Sequence, residues 1–223
     1  MIAFASVLSS SAEVLPHQAD EDADNDGVVG PPDVVDDCAG KLRAAGIDFT
    51  EASLPVRANR RGLVCGAEQV VIYRRGPTGI RWNASPLVTC RMALGLAELE
   101  RVVQGEAEKM GQRVVRIEQG GTYNCRKMAR YDWVSEHSYA NAIDVRAFTL
   151  RNGKRIGVLE HFGKLDAEPT TPEGRFLRAV AHRLYDEGAF SVVLTRYFDE
   201  LHRDHFHLDM ARYRVDGTRP DSR

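Results

Sequence analysis

The sequence lacks long hydrophobic runs: no segment approaches the roughly 20 apolar residues that a membrane-spanning helix needs. It also lacks an excess of one charge, because 30 lysines and arginines stand against 32 aspartates and glutamates, for a net charge of −2. This balance argues against nucleic acid or an anionic membrane as the main partner. With 43% hydrophobic and 28% charged residues and no internal repeat, the composition is typical of a soluble globular domain, which we expect to be monomeric.

Cysteines are few, and none has the close C-x-x-C spacing of a zinc knuckle or a redox motif. Four widely spaced cysteines are typical of two structural disulfides in an exported protein, whereas four buried free thiols in a cytosolic protein are the alternative. Residues 1–12 are small and apolar like the end of a signal peptide, but they lack its basic start. We expect a periplasmic or secreted protein. The cysteines are Cys38, Cys65, Cys90 and Cys125.

Residues 1–36 are polar and acidic and are predicted to form a tail, followed by a domain over 37–213 and a second tail over 214–223. The first tail contains a calcium-loop pattern, with oxygen donors at positions one, three, five and twelve and a glycine at position six. These donors are Asp22, Asp24, Asp26 and Asp33. The loop lacks the usual final glutamate and contains two prolines, so a solvated acidic linker is the alternative to a calcium site.

Hydrophobic periodicity predicts an α+β fold, a small antiparallel sheet flanked by helices, because strands and helices alternate without a regular βαβ rhythm. Asp36 or Asp37 is predicted to cap a first helix, Ser85 a second and Thr171 a third. The helices are predicted over 37–45, 85–110 and 171–184, a hairpin over 70–82, and strands over 114–117, 143–150, 156–158 and 191–194.

Three of the seven histidines crowd into residues 201–210. If this segment is a strand, His205, His207 and Asp209 share one face, while Phe206 and Leu208 point to the other, because side chains alternate along a strand. A face of imidazoles and a carboxylate is costly to bury unless something pairs with it, and a metal ion would do so. An exposed histidine-rich loop without a metal is the alternative.

Further ligands are available in residues 135–144, where His137 precedes a predicted strand and Asp144 lies on it. A loop histidine can fold back over a strand carboxylate, so both side chains could reach one ion. Zinc binds imidazole nitrogen and carboxylate oxygen, and a catalytic site uses three protein ligands and leaves one position for water. The ion acidifies that water, and hydrolysis is therefore the expected chemistry.

These segments resemble a known zinc signature. The pattern Ser135-x-His137, Asp144 and a late His205-x-His207 is similar to that of D-Ala-D-Ala metallopeptidases, murein endopeptidases and the related hedgehog signalling domain. Together with the stretches 122–126 and 202–209, it resembles the bacterial extensin-like C-terminal domain family more closely, over residues 38–212. The resemblance implies the D-Ala-D-Ala-metallopeptidase (hedgehog-like) fold for the domain over 37–213.

The resemblance also implies roles for particular residues. It implies that His137, Asp144 and His207 hold zinc. Two candidates compete for the general base that takes a proton from the zinc water: Asp204, three positions before His207, and His205, which shares the metal face of the predicted strand.

Other residues are implied to act around the metal. Arg126 is implied to bind a substrate carboxylate or to stabilise the tetrahedral oxyanion. Ser135 is implied to bind substrate or to orient the histidine that follows it, and His202 and Asp209 to fix the orientation of the ligands. The chain departs from its relatives at Ala140, where they often have glycine.

The expected function is a zinc-dependent hydrolase of amide bonds in peptidoglycan stem peptides or cross-links, either a carboxypeptidase or an endopeptidase. A zinc-containing module that binds cell-wall or surface ligands without catalysis is one alternative. A structural extracellular protein organised by calcium and disulfides is another. The presence of Asp204 and His205 as candidate bases favours the enzyme.

Overall fold

A computed structural model describes residues 30–220 of the protein. The predicted calcium donors Asp22, Asp24 and Asp26 lie outside the described residues. The fourth, Asp33, lies within them, and its carboxylate is 3.0 Å from the guanidinium of Arg212. No helix between residues 30 and 220 is both long enough and apolar enough to cross a membrane.

The described residues form four α-helices, ten β-strands and two short 3-10 helices, so the α+β class is confirmed. The α-helices are α1 Cys38–Ala44, α2 Cys90–Lys109, α3 Val158–His161 and α4 Pro172–Asp186. The 3-10 helices are Glu136–Tyr139 and Glu200–His202. The strands are β1 Asp48–Ala58, β2 Val64–Arg75, β3 Arg81–Trp82, β4 Leu87–Thr89, β5 Val114–Gly121, β6 Ala142–Leu150, β7 Arg155–Gly157, β8 Val192–Leu194, β9 Phe206–Asp209 and β10 Val215–Gly217.

In the described part of the chain the strands form two sheets. One is antiparallel and three-stranded, in the order β1-β2-β4. The other has seven strands in the order β10-β8-β9-β6-β5-β3, with β7 paired to β6. Its outer pairs β10–β8 and β3–β5 are parallel, and its inner pairs are antiparallel. The expected antiparallel character therefore holds for the centre of this sheet and not for its edges.

The hairpin predicted over 70–82 is wrong. Its first half pairs with β4, whereas its second half pairs in parallel with β5. The physical reason is Glu100 of α2, a fully buried carboxylate that accepts hydrogen bonds from the side chains of Tyr73, Thr78 and Trp82. A buried carboxylate is costly without donors, and the chain from 73 to 82 wraps around this one instead of folding back on itself.

Helix α2 begins later than its sequence predicts. Ser85 and Pro86 indicate a helix start, but residues 87–89 form β4, and the helix begins at Cys90. Thr89 is the cap, and its side chain accepts a hydrogen bond from the backbone N–H of Met92. In β4, the backbone N–H and C=O groups of residues 87–89 form hydrogen bonds with β2, although the local sequence signal would place these residues in α2. One face of the helix is apolar and lies in the core: Met92, Leu96, Leu99, Val103 and Ala107 are all buried, and Met110 is partly buried.

The C-terminal part of the domain follows its sequence signals with two exceptions. Thr171 caps α4 as predicted, and the turn at Gly153, with φ of 86°, joins β6 to β7. The first exception is Val158, predicted as the end of a strand, which begins the short helix α3. The second is the predicted tail over 214–223, because Val215–Gly217 form β10, an edge strand parallel to β8. Three residues in parallel pairing are too few to give a recognisable period.

All four cysteines are paired, which confirms the expectation of two disulfides. Cys38 is bonded to Cys90 and joins the first residue of α1 to the first residue of α2. Cys65 is bonded to Cys125 and joins β2 to the loop that follows β5. The second bond therefore ties the smaller sheet to the segment that precedes the first predicted metal ligand, His137.

Replacing both Cys65 and Cys125 with alanine is expected to lower the free energy of unfolding by about 2–5 kcal/mol, because the reduced chain gains conformational freedom when unfolded. The matched control is the Cys38→Ala, Cys90→Ala protein, since the two bonds span similar separations of 60 and 52 residues. Urea unfolding measures both losses. Only the first protein should show faster backbone hydrogen exchange over residues 122–126, and equal exchange in both would contradict the tethering role.

Candidate metal centre

The 3-10 helix Glu136–Tyr139 positions the first histidine of the centre. The hydroxyl of Ser135 caps this helix by accepting a hydrogen bond from the backbone N–H of His137 at 3.4 Å. The helix ends at Ala140, whose φ of 54° lies in the left-handed region that favours glycine. This conformation costs an alanine roughly 1–2 kcal/mol, and it turns the chain directly into β6. His137 is held at the start of that strand, only 3% exposed.

The other two members of the centre lie opposite each other on neighbouring strands. Asp144 of β6 is in register with His207 of β9. Nε2 of His137, Oδ1 of Asp144 and Nδ1 of His207 form a triangle whose sides are each 3.2 Å. Within residues 30–220, this is the one group of three histidine, cysteine or acidic side chains close enough to share an ion. The fold thus brings together the three residues that the resemblance implies as ligands.

A triangle of this size fits a tetrahedral metal ion. Zinc binds nitrogen and oxygen ligands at about 2.0–2.2 Å, so two ligands of a tetrahedron lie roughly 3.3–3.6 Å apart. The observed sides of 3.2 Å are close to that separation. Two imidazoles and one carboxylate also make a donor set that catalytic zinc sites use, with the fourth position kept for water.

Each histidine of the centre is oriented through its other ring nitrogen. Nδ1 of His137 lies 3.3 Å from the carbonyl oxygen of Thr122, which can only accept, so Nδ1 carries the proton. Nε2 of His207 lies 3.0 Å from Oδ2 of Asp209 and donates to it. Nε2 of His137 and Nδ1 of His207 are therefore the ring nitrogens that face each other and Asp144. Such outer partners fix the tautomer and raise the basicity of a metal-binding histidine.

The electrostatics of the centre favour a cation. Burial works to raise the pKa of Asp144, but the hydrogen bonds from His137 and His207 outweigh it and hold the pKa well below its usual range. Burial works to lower the pKa of His207, but the carboxylates of Asp144 and Asp209 outweigh it and raise the pKa to about 10. The same carboxylates that favour a positively charged imidazole would favour a metal ion in its place.

His205 and Asp204 form a pair beside the centre. Nδ1 of His205 donates a hydrogen bond to Oδ1 of Asp204 at 2.8 Å. Nε2 of the same ring lies 3.5 Å from Oδ1 of Asp144, so it faces the metal-binding atoms. Of the two predicted bases, His205 thus presents a nitrogen to the centre, while the half-exposed carboxylate of Asp204 contacts the opposite side of the imidazole.

Three polar residues support the centre without facing it. The carboxylate of Asp199 accepts a hydrogen bond from Nδ1 of His202 at 2.7 Å and lies 3.4 Å from the guanidinium of Arg130. Burial, followed by the charge of His207, lowers the pKa of His202 to about 4, so this ring is neutral. Its centroid lies 5.3 Å from that of His205, against which it packs. Asp199 was not predicted from the sequence, although its spacing of three residues from His202 is typical of a capping contact.

Glu136 is a buried carboxylate that the sequence reasoning also missed. It is 4% exposed and accepts a hydrogen bond from the side-chain amide of Asn141 at 2.7 Å. Burial, and secondly the charge of Asp209, raises the pKa of Glu136 to about 7. The amide oxygen of Asn141 in turn accepts from the hydroxyl of Thr89, the cap of α2. This chain of contacts connects the centre to the main helix of the core.

A small cleft opens onto the centre. Its volume of about 190 Å³ is below the roughly 300–1,000 Å³ of a typical small-molecule pocket, so it holds only the reacting part of a larger substrate.

The two predicted substrate-binding residues, Arg126 and Ser135, lie in different positions relative to the cleft. Arg126 lines the cleft and is exposed, whereas Ser135 is buried and its hydroxyl caps the helix under His137. Of the two implied roles of Ser135, the geometry favours orientation of the histidine. The lining residues are Gly120, Gly121, Thr122, Tyr123, Asn124, Arg126, His137 and Asp144.

The fold and the site define an α+β domain with a His-Asp-His cluster at the edge of a cleft. The chain belongs to the extensin-like protein C-terminus family, whose pattern matches residues 36–219. No curated protein and no solved structure matches the chain.

The protein is expected to bind one zinc ion per chain, and His207→Ala is expected to abolish this binding because it removes one corner of the triangle. Asp209→Asn should weaken zinc binding by about 10–100-fold, since it removes the carboxylate that orients His207. Metal content after dialysis against a zinc buffer series measures both effects. The control is His182→Ala, whose ring contacts the carbonyl oxygen of Thr218 outside the centre. A loss of zinc from the control equal to that from His207→Ala would contradict the assignment.

Proposed function

We propose that the protein is a zinc-dependent hydrolase that cleaves amide bonds in peptidoglycan peptides, with a fold related to that of the D-Ala-D-Ala metallopeptidases. The observation that carries the proposal is the triangle of His137, Asp144 and His207, with its 3.2 Å sides and its oriented imidazoles. The two disulfides are compatible with an extracellular or periplasmic location, where such a substrate is found.

In this proposal the three residues of the triangle hold zinc, which when bound supplies a water acidified toward neutral pH and a Lewis acid for the substrate carbonyl. Asp209 and the carbonyl of Thr122 keep the two imidazoles in the tautomers that present their free nitrogens. Nε2 of His205, which faces the centre, would accept the proton of the attacking water and pass it to the leaving amine. Asp204 holds this ring by accepting from its other nitrogen.

Arg126 supplies positive charge at the cleft. Its backbone N–H donates to the hydroxyl of Ser138 at 2.9 Å, and its side chain is exposed at the cleft edge. The disulfide at the neighbouring Cys125 fixes the backbone here, so the guanidinium projects from a rigid base. A positioned guanidinium stabilises the oxyanion that forms when water attacks the carbonyl carbon.

Purified peptidoglycan is the direct test of the proposal. Zinc-loaded protein is expected to release new amino groups or muropeptides, and the released products identify the bond that is cut. His207→Ala, which lacks one ligand, should release none, while His182→Ala should match the unchanged protein. A folded protein that holds one zinc ion and releases nothing would contradict the hydrolase and would support a zinc-containing binding module.

Variants of Asp204 and His205 distinguish which of the two residues acts as the base. His205→Ala is expected to lower kcat by about 100-fold to 10,000-fold with zinc still bound, because the group that accepts the proton is removed. Asp204→Asn should lower kcat less, since the ring loses only its orienting partner. Hydrolysis rates and metal content of the same preparations measure the effects. A larger loss for Asp204→Asn than for His205→Ala would reverse the assignment.

A further inference from the structure

Beside Asp144, strand β6 contains a bulge. Gln119 of β5 pairs with Val145, but the preceding residue, Glu118, pairs with Ala147. Arg146 therefore has no partner on β5. It has none on the other side either, because the pairing of β6 with β9 stops at residue 145 and its pairing with β7 starts at residue 147. Bulges are common next to active sites, where they redirect a side chain.

The burial pattern of β6 shows the effect of the bulge. Before it, Ile143 and Val145 are in the hydrophobic core, and after it, Phe148 and Leu150 are. Odd-numbered side chains of β6 thus face the core before Arg146, and even-numbered side chains face it afterwards. Arg146 lies two residues beyond Asp144, which places both on the face away from the core, and its side chain is exposed.

The guanidinium of Arg146 lies against a glycine of the cleft. A Cβ atom at Gly120 would be 2.7 Å from Nε of Arg146 and 3.1 Å from its Cζ. Gly120 lines the same cleft as His137 and Asp144. Because Gly120 has no side chain, the guanidinium of Arg146 can lie directly against its backbone beside the cleft.

The guanidinium of Arg146 has a charged neighbour beside the centre. Arg146 makes no direct hydrogen bond or ion pair with any residue between 30 and 220, and in this it resembles the surface residue Arg116. The hydrogen bond from His205 lowers the pKa of the Asp204 carboxyl, and the charge of Arg146 nevertheless lies close enough to lower it further. An exposed arginine beside the cleft, with its guanidinium donors available, is suited to bind an anion.

We propose that Arg146 binds the terminal carboxylate of the peptide substrate, so that the protein acts as a carboxypeptidase. This inference rests on the proposed hydrolase function. Arg146 and Asp144 are separated along β6 by about 6–7 Å between Cα atoms. The terminal carboxylate carbon of a substrate lies on the order of 4 Å beyond the carbon of the bond that is cut. A guanidinium that binds the carboxylate through two hydrogen bonds would span the rest of the distance between that carboxylate and Arg146 on β6.

The test is the binding of two probes that differ only in charge. They are acetyl-D-Ala-D-Ala with a free carboxylate and the same peptide with a terminal amide. Isothermal titration calorimetry measures their affinity for zinc-loaded protein carrying His205→Ala, in which turnover is suppressed. The variants added to this protein are Arg146→Ala, Arg146→Lys and, as a matched control, Arg116→Ala. Arg116 is an exposed arginine of β5, in register with Thr149 and therefore five residues from Asp144 along β6.

Arg146→Ala is expected to weaken binding of the free carboxylate by about 10-fold or more and to leave binding of the amide unchanged. Arg146→Lys should give an intermediate loss, because lysine keeps the charge without the bidentate geometry. Arg116→Ala should change neither affinity. Equal binding of the two probes, no binding of either, or equal effects of Arg146→Ala and Arg116→Ala would overturn the assignment.

The outcome is independent of whether the protein hydrolyses peptidoglycan. A preference for the free carboxylate that depends on Arg146, without release of products from peptidoglycan, would support the carboxylate site and contradict the hydrolase. Release of products without this preference would support the hydrolase and overturn the role of Arg146.

Discussion

The antiparallel pairing of β6 with β9 is the constraint on which the candidate site depends. It sets Asp144 opposite His207, while the alternating side chains of β9 bury Phe206 and Leu208 in the core. A slip of one residue would turn the two core side chains outward and bury the histidine instead. The hydrophobic core and the geometry of the centre are therefore specified by the same register, and neither can change without the other.

Each histidine around the centre is oriented through one of its ring nitrogens. The ring of His137 is held by the carbonyl of Thr122, that of His207 by Asp209, and that of His205 by Asp204. Each partner satisfies one ring nitrogen and leaves the other directed toward the centre. Because these contacts hold the rings, binding of an ion would require little loss of side-chain entropy. The raised pKa of His207 is the electrostatic consequence, since two carboxylates surround one buried imidazole.

Backbone irregularities shape the surroundings of the centre. Ala140 adopts a left-handed conformation that glycine would adopt without strain, and it brings His137 to the start of β6. The bulge at Arg146 and the glycine at position 120 allow the guanidinium of Arg146 to lie beside a residue of the cleft. The disulfide between Cys65 and Cys125 fixes the loop that completes the cleft. Strain and cross-linking of this kind are common where side chains must be held for function.

The sequence by itself determined the features that depend on near neighbours. The cap at Thr171, the turn at Gly153 and the alternation that puts His207 and Phe206 on opposite faces all follow from short-range preferences. The spacing of His137 and Asp144 likewise identified two members of the triangle, because a strand and the turn before it are close in the chain. Four widely spaced cysteines indicated two disulfides without indicating their partners.

Only the tertiary structure decided the features that join distant segments. Glu100 draws residues 73–82 around itself and so replaces the expected hairpin, and β2 recruits residues 87–89 from the predicted helix. β10 is a strand because β8 is beside it. The structure was also needed to show that His205, and not Asp204, faces the centre, and where Arg146 lies. Both depend on ångström-scale placement across three strands. Such contacts come from packing between elements, which local propensity does not encode.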